Sequence, residues 1–127
     1  MNETEISNMR KVIKLTLIRI GIRCDLAGFG YLSYAVELAI LQPELLKGIC
    51  KSLYAKIGEK FSIKNNACIE RNIRHAIKNT YSTKTFSELN NMFNSQLYTI
   101  DDKPTAGELI HLVADYYTLG LYKKILI

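Results

Sequence analysis

The sequence predicts an all-α fold: a compact domain of six to seven helices containing a helix-turn-helix. Three observations carry this. Apolar residues recur at helical spacing through most of the chain. No strand-length alternation repeats, and no hairpin dipeptide appears. Cap and stop residues bracket the periodic stretches. At 127 residues, 48% of them hydrophobic, the chain is expected to form one domain over 1–127 with a sizeable core.

Ile6, Met9, Ile13, Leu17 and Ile20 predict a first helix over about 4–20, with Thr4 as its cap and Gly21 as its stop. After the connection IRCDLAG, residues 29–41 are so apolar that this helix should be largely buried. Pro43 is placed as the first residue of a third helix, about 43–52. A short helix follows over about 53–61, with Leu53, Ile57 and Phe61 on one side. SIKNNA is then a turn rich in cap formers.

The next helix, about 66–81, is the most informative. Ile69, Ile73, Ala76, Ile77 and Thr80 share one face, and Arg71, Arg74, His75 and Lys78 share the opposite one. Ser82–Thr85 reads as a turn. Phe86, Leu89, Asn90 and Phe93 indicate another short helix, and Leu97–Ile100 an extended stretch. The last helix has the clearest start, a Thr105–Glu108 capping box preceded by Pro104. Leu109, Leu112, Val113 and Tyr116 line its buried side, and Gly120 stops it.

Charge is unevenly placed. The formal net charge is +5, and residues 64–84 alone hold five Lys/Arg against one acid, a net +4. A concentrated basic patch fits a polyanion partner. A solvated charged helix face fits the charge equally well. Cys24, Cys50 and Cys68 form no CxxC pair and suit free thiols in a reducing cytosol. The N-terminus is not a signal peptide, and the uncharged run Leu26–Val36 is too short to span a bilayer, so no membrane partner is expected. His75 and His111 lack partners at motif spacing. No enzyme activity, cofactor or metal is therefore expected, and His111, inside LIHLV, reads as a core or interface histidine. Tyr98, Tyr116, Tyr117 and Tyr122 read as packing residues.

A short helix, a polar turn and a helix with a basic face, together about 53–81, have the order of a helix-turn-helix. Arg suits a major-groove position because it can pair bidentately with guanine, and Glu70 can accept from a cytosine amino group. Lys64, Asn65 and Asn66, in the turn and at the helix start, are candidates for phosphate contact. Lys78 and Lys84 lie further along and suit backbone neutralisation. The alternative for Glu70 and Arg74 is a surface i, i+4 ion pair worth about 0.3–0.5 kcal/mol.

IERNIRHAI (69–77) resembles the recognition helix of the sporulation initiation regulator family, stage zero sporulation protein A. IGIRCDLAGFGYL (20–32), PELLKGICKSLYAKIGEKF (43–61) and KPTAGELIHLVAD (103–115) resemble that family's C-terminal effector domain in the same order, from about residue 10 to 119. The resemblance implies a six-helix, cytoplasmic and nucleoid-associated DNA-binding domain. It would bind double-stranded DNA at a TGTCGAA-like box as a homodimer or tandem copies, and so act in transcription regulation of sporulation. It places Glu70, Arg71, Arg74 and His75 against base edges, and the segment of about 82–96 against an RNA polymerase sigma factor.

Three departures stand out. Ala67 and Cys68 replace a Ser-Arg pair at the helix start. The turn is one residue longer. No receiver domain is present, and the non-family opening MNETEISNM favours a natural short protein over a cut piece. The departures keep a second reading open: an interaction module or antagonist that pairs with a full-length regulator or competes for its sites.

Overall fold

The computed structural model describes residues 1–126, with side chains at all of these except 49, 50 and 124–126. Cys50 of the predicted free thiols thus lies outside the described side chains. Six α-helices are found among the described residues: α1 (Glu3–Arg19), α2 (Ala27–Leu41), α3 (Tyr54–Phe61), α4 (Asn66–Lys78), α5 (Thr83–Phe93) and α6 (Ala106–Thr118). The all-α expectation holds. No helix is long and apolar enough to cross a membrane, judged over the described residues.

α2 is the hub. It packs on α1, α3, α4 and α6, and ten of its fifteen residues are buried. One continuous core joins Leu32, Val36 and Ala35 of α2 to Met9, Ile13 and Leu17 of α1, Ile69 and Ile73 of α4, Leu89 of α5 and Leu109 and Val113 of α6. Glu37, buried on α2, meets Arg10 of α1 at 2.6 Å, so its charge is not left unpaired in the core. Arg19 at the end of α1 donates to Glu88 of α5 at 2.7 Å and to the Tyr116 hydroxyl of α6 at 3.2 Å.

The helix ends follow their caps, with several corrections. Asn2, not Thr4, caps α1: its side chain accepts from the Glu5 N–H at 2.8 Å, and Glu5 completes a capping box. Thr4 lies inside the helix. Gly21 and Gly120 follow the C-caps of α1 and α6 in left-handed backbone, with φ of +103° and +73°. The Thr105–Glu108 capping box of α6 forms as read.

The stretch predicted as a helix over 43–52 is a 3-10 helix, Pro43–Gly48, followed by a π-helical turn, Ile49–Leu53. Pro43 offers no N–H and forces Gln42 out of helical backbone, while Gly48 weakens α-propensity in mid-run. Ser82–Thr85 is no free turn: Ser82 caps α5, its hydroxyl accepting from the Thr85 N–H at 3.3 Å. Leu97–Ile100 forms no strand among the described residues. A bridge between Thr99 and Asp102 closes a tight turn there instead. On α6, Ile110 joins the buried side and Leu112 is only half-buried. His111 is exposed and pairs with Asp115 at 3.0 Å, because the helical period turns it away from Leu109 and Val113.

Candidate nucleic-acid interface

α3, the turn after it and α4 follow one another in the order expected of a helix-turn-helix. Leu53 and Ile57 of the predicted α3 stripe are fully buried. Phe61 is exposed at its rim, edge-on to the Tyr31 ring at 5.0 Å. Ser62 then takes left-handed backbone, φ +57°, and the Ile63 N–H returns to the Gly58 carbonyl at 2.8 Å. Gly58 has no room for a side chain: a Cβ there would lie 2.6 Å from the Ile63 carbonyl oxygen. The turn is thus tight despite its length.

Asn65 opens α4. Its side-chain oxygen accepts from the Ala67 N–H at 2.9 Å, so this candidate phosphate contact is already engaged as the N-cap. Ile69, Ile73 and Ala76 are fully buried and Ile77 nearly so, seated against α2 and α3. The seat is close. A Cβ on Gly28 of α2 would meet the Asn72 carbonyl oxygen at 2.3 Å and the Ala76 Cβ at 2.8 Å. α4 ends at Lys78, three residues short of the predicted 81. Tyr81 turns back, its hydroxyl donating to the Pro104 carbonyl at 3.0 Å.

The opposite face holds the predicted cations. Arg71, Arg74, His75 and Lys78 are all exposed there. Arg74 Nη1 lies 3.2 Å from Glu70 Oε1, so the i, i+4 ion pair exists in the free protein. Glu70 is half-buried on the flank facing α6 rather than at the crest. The Asn79 amide sits 3.1 Å from His75 Nε2. Among the described residues Arg71 and Lys78 have no acidic partner within ion-pair distance, and Arg71 lies at the centre of the outward face.

The other candidates spread outward. Lys64 is exposed in the turn, and Asn66 is the first residue of α4. Lys84 sits on α5, in its first turn, and so on a different helix from the reading face. Ala67 is exposed at the start of α4. Cys68 is half-buried, with the Asn72 amide donating to its carbonyl at 2.9 Å and lying 3.5 Å from its Sγ.

One neighbour of α4 was missed in the sequence. A groove of about 430 Å³ runs between α4 and the start of α6, with Glu70, Arg74 and Lys78 on one wall and Lys103, Pro104 and Thr105 on the other. Residues 85–127 carry a net −2, which directs attention away from Lys103. The capping box beginning at Thr105 was the available signal that this lysine is held at a defined helix start.

A protein-family model described as the sporulation initiation factor Spo0A C terminal matches residues 13–117, from the middle of α1 to the last turn of α6. The family is a DNA-binding effector domain of sporulation transcription regulators, not an enzyme family. The chain belongs to it.

Proposed function

We propose that this member of the Spo0A C-terminal family is a sequence-specific regulator that lays α4 in the major groove of double-stranded DNA. The observation that carries the reading is α4 itself. Its apolar side is locked on α2, and an outward Arg71 without an acidic partner stands between Arg74, His75 and Lys78. A buried back fixes the helix, and a cationic front meets the duplex. Arg71, Arg74 and His75 face base edges. Glu70 joins them when its pair with Arg74 opens, an exposed pair of small value. Lys64, Asn66, Lys78 and Lys84 meet phosphates. Asn65 contributes by capping the helix whose N-terminus approaches the backbone.

The family resemblance supports a TGTCGAA-like box, a homodimer or tandem arrangement on it, a nucleoid location in the cytoplasm, and a sigma-factor contact through about 82–96. Residues 82–96 include all of α5, whose outer residues Ser87 and Asn91 are exposed. The antagonist reading draws on a different observation. Ala67 presents no polar group at the start of α4, and Glu70 and Arg74 already engage each other.

A binding selection on random duplex DNA at two salt concentrations tests the reading, and a TGTCGAA-like box is the expected product. Arg71→Ala should weaken binding to that box by about 1–3 kcal/mol while sparing unrelated duplexes. Lys78→Ala should weaken all duplexes alike and flatten the salt dependence. A gel shift on the box unmoved by either change would sink the proposal. Capture of a full-length regulator with no independent shift would favour the antagonist.

A further inference from the structure

We infer that the groove between α4 and the start of α6 seats one sugar–phosphate strand of the duplex, and that Lys103 is a phosphate-binding residue on its far wall. The inference rests on the α4 reading just proposed and extends it to a part of the chain with a net negative charge.

An α-helix about 10–12 Å across fills a major groove about 12 Å wide, so both strands must pass along the flanks of the helix. On the α6 flank of α4 the protein provides this groove. Its charged lining is Arg74, Lys78 and Lys103 against Glu70 alone, which pairs with Arg74 at 3.2 Å in the free protein. The balance is two positive charges facing outward beside the reading face, which is the complement of a polyanionic backbone. Asp101 and Asp102 precede Lys103 in sequence but do not line the groove.

Lys103 is also held in place. The Tyr81 hydroxyl, three residues past the end of α4, donates to the carbonyl of the adjacent Pro104 at 3.0 Å. On the other side the Thr105 N–H is fixed by Glu108 Oε1 at 3.0 Å. The lysine side chain itself is exposed and makes no hydrogen bond or ion pair among the described residues. With the backbone beside it tethered to the recognition helix and its charge not engaged elsewhere, Lys103 can meet a phosphate without breaking another bond.

The experiment is a salt titration of affinity for two duplexes, one holding the selected box and one scrambled. It compares wild type, Lys103→Ala, Lys103→Arg and Lys11→Ala, the last an exposed lysine on α1. The expected result for Lys103→Ala is about a fivefold loss on both duplexes, an unchanged ratio between them, and a salt slope smaller by about 0.9. Lys103→Arg should restore both, and Lys11→Ala should change affinity less than twofold. If Lys103→Ala is no worse than Lys11→Ala while Arg71→Ala still weakens binding to the box and spares the scrambled duplex, the inference fails and the α4 reading stands. If wild type shifts neither duplex, the α4 reading fails and takes this inference with it. A Lys103→Ala loss confined to the scrambled duplex, or to capture of a protein partner, also overturns it.

Discussion

α4 and the 94–105 connection form the two walls of one groove, but different forces hold them. α4 is held by apolar burial. Ile69, Ile73 and Ala76 are fully out of solvent, and Gly28 lets the α2 backbone come within van der Waals reach of the helix. The connection buries little of its own: Leu97 and Ile100 are exposed. It is held by hydrogen bonds. Asn90 of α5 accepts from the Leu97 and Tyr98 N–H groups at 2.8 and 3.1 Å and donates to the Tyr98 carbonyl at 3.0 Å. Tyr81 and the Thr105–Glu108 box hold its far end. A packed wall should fail through steric change and a bonded wall through loss of polar atoms. On the proposed reading, base contacts depend on the packed wall, and the bonded wall adds the backbone contact of Lys103 to that of Lys78 on α4.

The largest effect should come from the packed wall. Gly28→Ala sets a methyl group 2.3 Å from a backbone oxygen that no rotamer can move, so α2 and α4 must part. A loss of about 1–3 kcal/mol in unfolding free energy is expected, read as a lower urea midpoint, the scale of core overpacking. Because α4 itself is displaced, preference for the box should fall more than total DNA binding. An unchanged midpoint would mean that the α2–α4 seat is softer than its geometry, and the distinction between the walls would dissolve.

Asn90→Ala strikes the bonded wall. Three backbone groups lose one partner, and those near the surface turn to water instead. A cost of about 1–2 kcal/mol is expected. Box preference should survive, since the side-chain hydrogen bonds of Asn90 go to the 94–105 connection and not to α4, while the salt slope should shrink as Lys103 loses its position. A loss of preference equal to that of Gly28→Ala would show that the two walls are one cooperative unit.

The same contrast explains what the sequence made legible. The α4 stripes were readable because helical period alone assigns them. The Thr105–Glu108 box and the Gly21 stop were readable because caps are local chemistry. Where two local signals competed, the reading slipped. Thr4 and Asn2 both cap well, but only Asn2 has Glu5 three residues on. Ser82 served equally as turn or cap. His111 was judged by its apolar neighbours when its angular position on α6 decides its exposure. The place of Lys103 was not legible. Its groove depends on Tyr81 meeting Pro104 across 23 residues, a pairing that no local period encodes.

Tyr81→Phe should give the smallest effect and sharpen the comparison most. The change keeps the ring against Phe86, whose centroid is 5.2 Å away, and removes only the hydroxyl that holds Pro104. At neutral pH the loss should be about 1 kcal/mol, the worth of one hydrogen bond. Alkaline pH should narrow that gap. Burial, with Tyr98 and Glu108 nearby, pushes the Tyr81 hydroxyl well above the ordinary phenol range. Above pH of about 10, the unfolded chain therefore releases this proton while the folded chain keeps it. The unfolded state then binds fewer protons, so wild-type stability falls with rising pH, and a phenylalanine escapes that fall. Urea midpoints of the two proteins should converge between pH 7 and about 10.5, with the other tyrosines common to both. A gap that stays constant would place the Tyr81 hydroxyl in water, and the tether between α4 and Lys103 would lose its physical basis.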